Sequence, residues 1–243
     1  MIAVYDSGLG GILSLNKIIK DYPDEKILYF GDSHNAPYGN KTFKEISELV
    51  EKNITMLENV GVNDLVLACN TICSIVDFDK KRRLNLYDII SKTIEQIDID
   101  KQANILVFGT MITIEAGRYV EELHKRDYHN ISTHHLDKLA GYIENFENPS
   151  VIENYLYDEF YKINARPDLI ILACTHYPVV EDIFKVFYEV PVFNSRDLHF
   201  EINKRHEGHE VLIYMDKNEK LIKFLDKYLE YPYKFYEKSN SGF

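Results

Sequence analysis

The sequence predicts an α/β fold with two pseudo-symmetric lobes, each a mostly parallel sheet flanked by helices, with the active site in the cleft between them. Short apolar runs alternate with helical patterns of about ten or more residues, which is typical of βαβ units and parallel sheets. The first half of the chain also resembles the second. Residues 65–71 read LVLACNT and residues 170–176 read IILACTH, and residues 2–7 match residues 105–110 in the same way. Such an internal repeat predicts two lobes of like topology.

Apolar runs bounded by turn residues predict the strands of the first half. They lie at residues 2–5, 27–30, 65–68 and 86–90. Apolar residues at helical spacing predict three helices, from residue 12 to Tyr22-Pro23, from Thr42 to about residue 59, and from about residue 72. Thr42 can cap the second of these helices, because Glu45 follows three residues later. The polar stretch at 96–103 predicts the crossover to the second half.

The second half repeats this alternation. Strands are predicted at residues 105–108, 131–134, 170–173, 190–193 and 211–214. Helices are predicted at about 113–127, twice within 138–164, from the turn at 175–178 to about 188, and at 217–229. The polar and aromatic tail at 231–243 is predicted to be loose.

Composition restricts the class of protein. The chain has 243 residues and a net charge of -11, which disfavours non-specific nucleic-acid binding because that function needs a basic surface. A small anionic substrate stays compatible, since a site can be locally positive in an acidic protein. Three cysteines do not build a disulfide framework and favour a reducing compartment. Without a signal peptide or a membrane-spanning apolar run, we expect a cytoplasmic location.

Cys69 and Cys174 occupy matched positions, each directly after a buried strand and before small polar residues. A single buried cysteine is more often a small hydrophobic residue, and Cys73, which has no counterpart, is interpreted in that way. In parallel α/β folds, however, ligands bind at the carboxyl ends of the strands. Two thiols on opposite sides of one carbon can invert it, one removing a proton and the other returning one. This chemistry favours thiols whose pKa is lowered towards neutrality.

Two polar residues are candidates for assisting these thiols. Asp6 ends the first strand and can act as a hydrogen-bond partner, a proton relay or a contact for a substrate ammonium group. A carboxylate does not lower the pKa of a neighbouring thiol. His176 can lower the pKa of Cys174 when it is protonated, although a turn residue bonded to the backbone is the alternative.

The glycine-rich turn at 7–11 can bind an anion, but it lacks the third glycine of a dinucleotide fingerprint and the lysine of a P-loop. The loop at 36–39 can add a hydroxyl and a backbone N–H to the same site. The histidines and cysteines show no zinc-ligand spacing, so no metal is expected.

Five motifs together resemble the glutamate racemases, in the order of that family and over most of the chain. They are DSGLGG at 6–11, APYG at 36–39, ACNT at 68–71, GTMIT at 109–113 and CTHYP at 174–178. The resemblance implies a cofactor-independent interconversion of L- and D-glutamate that supplies D-glutamate for peptidoglycan. It also implies that Cys69 takes the proton from D-glutamate and Cys174 from L-glutamate, with Asp6 assisting the first and His176 the second.

The resemblance implies a set of substrate contacts and a domain division. The implied contacts are Asp6, Ser7, Pro37, Tyr38, Gly39, Asn70, Thr71, Thr110, Thr113, Thr175 and His176. The implied first lobe comprises 1–96 plus 211–243, and the second comprises 97–210.

The sequence departs from the family pattern in four places. It lacks the usual arginine near Asn35, carries Ile72 in place of a small residue, and has residues 214–216 in place of a threonine-rich motif. It also lacks the cysteine-proline stretch of the family around 132–144. In this region Glu144 is the one residue that can correspond to a glutamate of the family.

Three other functions stay open at the level of sequence. They are a racemase of another acidic amino acid such as aspartate, a thiol hydrolase that uses Cys174 and His176, and a ligand-binding or regulatory protein without catalysis. The expected partner is a small molecule, glutamate, with no nucleic acid, membrane, metal or cofactor. The oligomeric state is open, with a homodimer as one alternative.

Overall fold

Parallel β-sheets form the centre of the protein, for which a computed structural model describes residues 1–38, 41–206 and 208–236. The strands in these ranges are β1 (Ile2–Asp6), β2 (Lys26–Gly31), β3 (Asp64–Leu67), β4 (Asn85–Asp88), β5 (Ile105–Gly109), β6 (Ile131–His135), β7 (Leu169–Ala173), β8 (Val192–Asn194), β9 (Glu210–Tyr214) and β10 (Lys234–Phe235). One sheet has the order β10-β9-β2-β1-β3-β4, and the other has the order β6-β5-β7-β8. All paired strands in both sheets are parallel, so the predicted fold class is confirmed.

Helices cover the faces of both sheets. In the described ranges they are α1 (Ile12–Asp21), α2 (Phe43–Asn59), α3 (Asn70–Cys73), α4 (Ile89–Glu95), α5 (Met111–Glu115), α6 (Arg118–His124), α7 (Leu139–Glu144), α8 (Pro149–Phe160), α9 (Glu181–Tyr188) and α10 (Glu219–Tyr228). A 3-10 turn, Tyr177–Val180, precedes α9. Because helices cover both faces, every residue of the inner strands β1, β5 and β7 is buried. No helix in the described ranges is long and apolar enough to cross a membrane.

Four local predictions differ from the structure. The helix predicted at 113–127 is two helices, α5 and α6, because Gly117 between them has a left-handed φ of 73°. The strand predicted at 86–90 ends at Asp88, whose side chain accepts hydrogen bonds from the first N–H groups of α4, a helix that was not predicted. Helix α3 starts at Asn70 instead of Ile72 and ends at Cys73. Part of the tail predicted to be loose forms β10, which pairs with β9.

The division of the chain into lobes 1–96 plus 211–243 and 97–210 stays a prediction. Strands β9 and β10, which follow residue 209, belong to the sheet that contains β1. The segment before them also contacts this half, because the backbone N–H of Arg205 donates to Glu25 Oε1 over 2.6 Å. We call the part around the first sheet the first half and the part around the second sheet the second half.

The contribution of the α2 cap to the stability of the protein can be tested by mutation. The Thr42 hydroxyl accepts from the backbone N–H of Glu45, and the Glu45 carboxylate accepts from the Thr42 N–H. Thr42→Ala should therefore lower the free energy of unfolding by about 1 kcal/mol in urea denaturation. Thr55→Ala in the same helix is the control, since its hydroxyl bonds only a carbonyl within the helix and alanine has the higher helix propensity. Equal losses in the two variants would contradict the capping role.

Candidate active site

A cavity of about 430 Å³ lies between the two halves, and the ends of β3 and β7 both open into it. Ten of the predicted site residues line this cavity: Ser7, Pro37, Tyr38, Cys69, Asn70, Thr71, Thr110, Cys174, Thr175 and His176. Asp6 and Thr113 do not line it, and Gly39 lies outside the described residues. The two cysteines that the repeat paired in sequence therefore face a common space. Cys73 is fully buried and donates from its thiol to the Leu67 carbonyl over 3.2 Å, as a structural residue does.

Cys69 lies two residues after the end of β3 and is the N-cap residue of α3. Its Sγ is 3.3 Å from the Ser7 hydroxyl. Burial raises the pKa of the Cys69 thiol to about 12, and the negative charge of Asp6 acts in the same direction. The expected lowering of this pKa is thus wrong for Cys69, which is a protonated thiol at neutral pH.

Cys174 begins a chain of three polar groups. Its Sγ lies 3.7 Å from His176 Nδ1, and His176 Nε2 lies 2.8 Å from Glu144 Oε1. Burial lowers the pKa of His176, but the neighbouring Glu144 and Cys174 outweigh it and hold this pKa well above its ordinary value. Burial raises the pKa of Glu144, and the positive charge of His176 reverses this, leaving that pKa below its ordinary value. The pair is therefore an imidazolium and a carboxylate at neutral pH, with one ring N–H directed at each neighbour.

Asp6 joins the two halves from a fully buried position. Its carboxylate accepts from the Gly8 backbone N–H over 2.7 Å and from the Thr175 hydroxyl over 3.1 Å. Burial raises the pKa of Asp6 to about 6, against the lowering effects of His176 and of these hydrogen bonds. Since Asp6 is not part of the cavity wall, its position supports a hydrogen-bonding or relay role over direct contact with a substrate ammonium group.

Three threonine hydroxyls connect the halves near Cys69. Thr71 Oγ1 lies 3.1 Å from Thr110 Oγ1 and 3.3 Å from Thr113 Oγ1, and the latter two are 2.9 Å apart. Thr110 also caps α5 by accepting from the Thr113 backbone N–H. Thr71 and Thr110 line the cavity while Thr113 lies behind them, so Thr113 orients the other two hydroxyls.

The hydroxyl of Tyr38 belongs to a buried network and does not serve the cavity as the sequence predicted. It donates to Asp32 Oδ2 over 2.6 Å and lies 2.8 Å from the hydroxyl of Tyr5. The Asn53 amide donates to Asp32 and to Tyr5 in the same network. Tyr38 therefore anchors its loop to the first sheet.

The glycines of the 7–11 turn have a steric role that the sequence did not reveal. A Cβ atom on Gly10 would lie 2.7 Å from His176 Nδ1 and would also clash with the Thr175 hydroxyl. A Cβ atom on Gly8 would lie 2.6 Å from Glu144 Oε1. These glycines let the two halves approach each other closely at the cavity.

Several residues of the cavity wall could not be recognised from local sequence patterns. Glu144 was noted only as a match to a family glutamate, and Met215 only as part of a departure from the family pattern. No sequence pattern pointed to Asn145, Asn218 or Lys220. Lys220 of α10 donates to Asn145 Oδ1 over 2.7 Å and so connects the halves at the cavity. Among the described residues, no group of three or more His, Cys, Asp or Glu side chains is placed to hold a metal ion.

Comparison with known proteins identifies similar sequences and folds. The chain is 35% identical over 194 residues to the glutamate racemase of Clostridium botulinum (strain Langeland), an alignment that covers 76% of this chain and 74% of that protein. It is 30% identical over 192 residues, with the same coverage, to the glutamate racemase of Bifidobacterium animalis subsp. lactis. No protein-family model matches the chain.

Crystal structures of glutamate racemases share the fold over nearly the whole chain. A Bacillus anthracis isoform superimposes with a TM-score of 0.89 at 24% identity, covering 98% of this chain and 97% of that one. The Campylobacter jejuni enzyme superimposes with a TM-score of 0.84 at 25% identity, covering 96% and 99%. The aspartate racemase of Picrophilus torridus is more distant, with a TM-score of 0.57 at 22% identity, covering 81% and 88%.

The raised pKa of Asp6 predicts a pH-dependent stability. Because this pKa rises from 3.8 to about 6 on folding, the buried carboxyl stabilises the fold below about pH 4 and loses that contribution as the pH rises through 6. The free energy of unfolding of the protein, minus that of its Asp6→Asn variant, should therefore fall by up to about 3 kcal/mol between pH 4 and 7.

Urea denaturation across this pH range measures the difference, with Asp79→Asn as the control for loss of an exposed carboxylate. A difference that stays constant or rises with pH would contradict the assigned environment of Asp6.

Proposed function

The chain belongs to the glutamate racemase family, and we propose that it interconverts L- and D-glutamate with Cys69 and Cys174 as its two acid–base groups. The observation that carries this proposal is that the two thiols come from different halves and line one cavity. A cavity of about 430 Å³ is large enough for an amino acid of this size. The comparisons support the same substrate, since the relatives from Clostridium botulinum and Bifidobacterium animalis, at 35% and 30% identity, are glutamate racemases.

The proposed reaction is a proton exchange at Cα that needs no cofactor. One cysteine, as a thiolate, takes the α-proton from one face of glutamate, and the electron pair is delocalised into the α-carboxylate. The other cysteine, as a thiol, then gives its proton to the opposite face. The product is the other enantiomer, and the two sulfurs have exchanged protonation states. The same pair therefore catalyses the reaction in both directions.

Cys69 is the proton donor in the proposed reaction from L- to D-glutamate. Burial and the negative charge of Asp6 raise the pKa of its thiol, which is therefore protonated at neutral pH. The Sγ atom of Cys174 lies 3.7 Å from Nδ1 of His176. In this direction Cys174 takes the proton of L-glutamate and Cys69 supplies the new proton, which agrees with the assignment that the family resemblance implies.

The cavity wall supplies hydrogen-bond donors for the carboxylates of glutamate, which are acceptors only. The side-chain donors are the hydroxyls of Ser7, Thr71 and Thr110 and the amide of Asn70. Lys220 adds a positive charge at the cavity in a protein of net charge -11. This charge favours entry of an anionic substrate.

We further propose a cytoplasmic role in supplying D-glutamate for peptidoglycan. Both statements rest on the family resemblance and on the sequence composition. Aspartate racemisation and thiol hydrolysis are the rival activities, and no observation on the cavity favours either. Racemisation assays with L-aspartate and L-glutamate side by side distinguish the first rival.

Replacement of either proposed acid–base group should abolish racemisation. Cys69→Ser and Cys174→Ser should each lower kcat/KM by at least about a hundredfold, because every turnover uses both thiols and a serine hydroxyl is a far weaker acid. Circular dichroism follows the enantiomers, and NMR in D₂O follows deuterium at Cα. Cys73→Ser, which keeps a donor for the Leu67 carbonyl, is the control and should retain activity. A folded, reduced protein that exchanges no α-proton of glutamate would refute the proposal, and racemisation retained in Cys69→Ser would refute the role of Cys69.

We expect the Glu144 carboxylate to affect the rate of racemisation by keeping His176 protonated. Glu144→Gln removes the charge that raises the pKa of His176, so the imidazole loses its proton at neutral pH. We expect kcat/KM to fall by roughly tenfold or more in both directions, since the equilibrium constant cannot change, and the loss to be smaller at lower pH. His134 and Glu159 form a similar pair over 2.9 Å outside the cavity, so Glu159→Gln is the matched control. Equal effects of the two substitutions would assign Glu144 a merely structural role.

A further inference from the structure

We propose that Tyr119 is a positioning residue that orients the side-chain amide of Asn70 so that its NH₂ group faces an anionic substrate. This inference rests on the proposed function, because it concerns how the same cavity recognises glutamate. It assigns a role to a residue that no sequence motif singled out. Tyr119 lies on α6 in the second half, whereas Asn70 begins α3 in the first half.

A single buried hydrogen bond carries the inference. The Tyr119 hydroxyl donates to Asn70 Oδ1 over 2.7 Å, and both residues are 2% exposed. Asn70 follows Cys69 directly in the chain and lines the cavity. The orientation of a side chain next to a proposed acid–base group is thus determined by a residue from the opposite half.

The other end of the same amide has no partner. Asn70 Nδ2 is buried and has no hydrogen-bond partner among the residues that the structure describes. A buried N–H group without an acceptor is costly, and such groups in native proteins call for an explanation. Because Asn70 is part of the cavity wall, an acceptor atom of a bound ligand is the partner that accounts for it.

The hydrogen bond from Tyr119 determines which atom of the amide faces that ligand. A carboxylate has only acceptor atoms, so an amide NH₂ attracts it and an amide oxygen repels it. With Oδ1 held by the tyrosine proton, Nδ2 is the free atom. Burial and the nearby Asp88 raise the pKa of Tyr119, so the phenol keeps the proton that it donates. Rotation of the amide by half a turn would expose the oxygen instead.

Helix α6 is well anchored for this role. Arg118, adjacent to Tyr119, donates to the Cys73 carbonyl at the end of α3 and to the Asp88 carboxylate at the start of α4. Both acceptors belong to the first half. Arg118 therefore holds α6 against the short helix that begins with Asn70, and the Tyr119 hydroxyl has a defined position relative to the amide.

Tyr119→Phe tests the inference, since it removes the hydroxyl and keeps the ring. The amide of Asn70 can then rotate, and we expect KM for glutamate to rise about three- to tenfold with kcat changed less than about twofold, because the lost interaction is one of substrate binding. Tyr128→Phe is the matched control. Tyr128 is equally buried in the second half, and its hydroxyl bonds backbone carbonyls away from the cavity. Its variant should keep the KM of the parent protein.

A double-mutant cycle with Asn70→Ala separates positioning from general structure. If Tyr119 acts through Asn70, Tyr119→Phe should have little further effect on KM in the Asn70→Ala background. An unchanged KM in Tyr119→Phe, a rise equal to that of Tyr128→Phe, or full additivity in the cycle would each overturn the inference.

Failure of the proposed racemase function can be distinguished from failure of the role proposed for Tyr119. If the parent protein binds glutamate by calorimetry without exchanging its α-proton, racemisation is refuted, and the same variants test Tyr119 through the Kd. If it neither binds nor racemises glutamate, both proposals are overturned.

Discussion

The close approach of two turns, one after β1 and one after β7, is the constraint on which the rest of the site depends. Asp6 at the end of β1 accepts a hydrogen bond from Thr175 in the turn after β7. Gly10 lies so near His176 that a Cβ atom would collide with it. Since β3 pairs with β1, this contact also sets where Cys69 lies relative to Cys174. A side chain at position 10 would separate the halves and open the cavity.

The two halves resemble each other in fold but differ in the charges that surround their cysteines. On the Cys69 side a buried carboxyl, Asp6, opposes ionisation of the thiol. On the Cys174 side a protonated His176 is held by Glu144. A two-thiol racemase needs one thiol and one thiolate before each turnover. The two cysteines therefore lie beside opposite charges, and the charge beside Cys69 favours its protonated form.

Polar contacts between the halves concentrate on the short helix α3, which directly follows Cys69. Thr110 and Thr113 contact Thr71, Tyr119 contacts Asn70, and Arg118 contacts the last carbonyl of α3. An isolated helix of four residues is not stable in water. Its geometry therefore depends on these contacts, and so does the position of the hydrogen-bond donors beside one proposed acid–base group.

The sequence by itself determined the alternation of parallel strands and helices, the capped start of α2, and the placement of Cys69 and Cys174 at strand ends. These features follow from apolar periodicity and from hydrogen bonds between near neighbours, which short stretches of sequence encode. Only the tertiary structure decided three side-chain hydrogen bonds: that of His176 with Glu144, that of the Tyr38 hydroxyl with Asp32, and that of the Tyr119 hydroxyl with Asn70. The pKa of Cys69 belongs to this second group, because burial and charge at one atom arise from residues that only folding brings together.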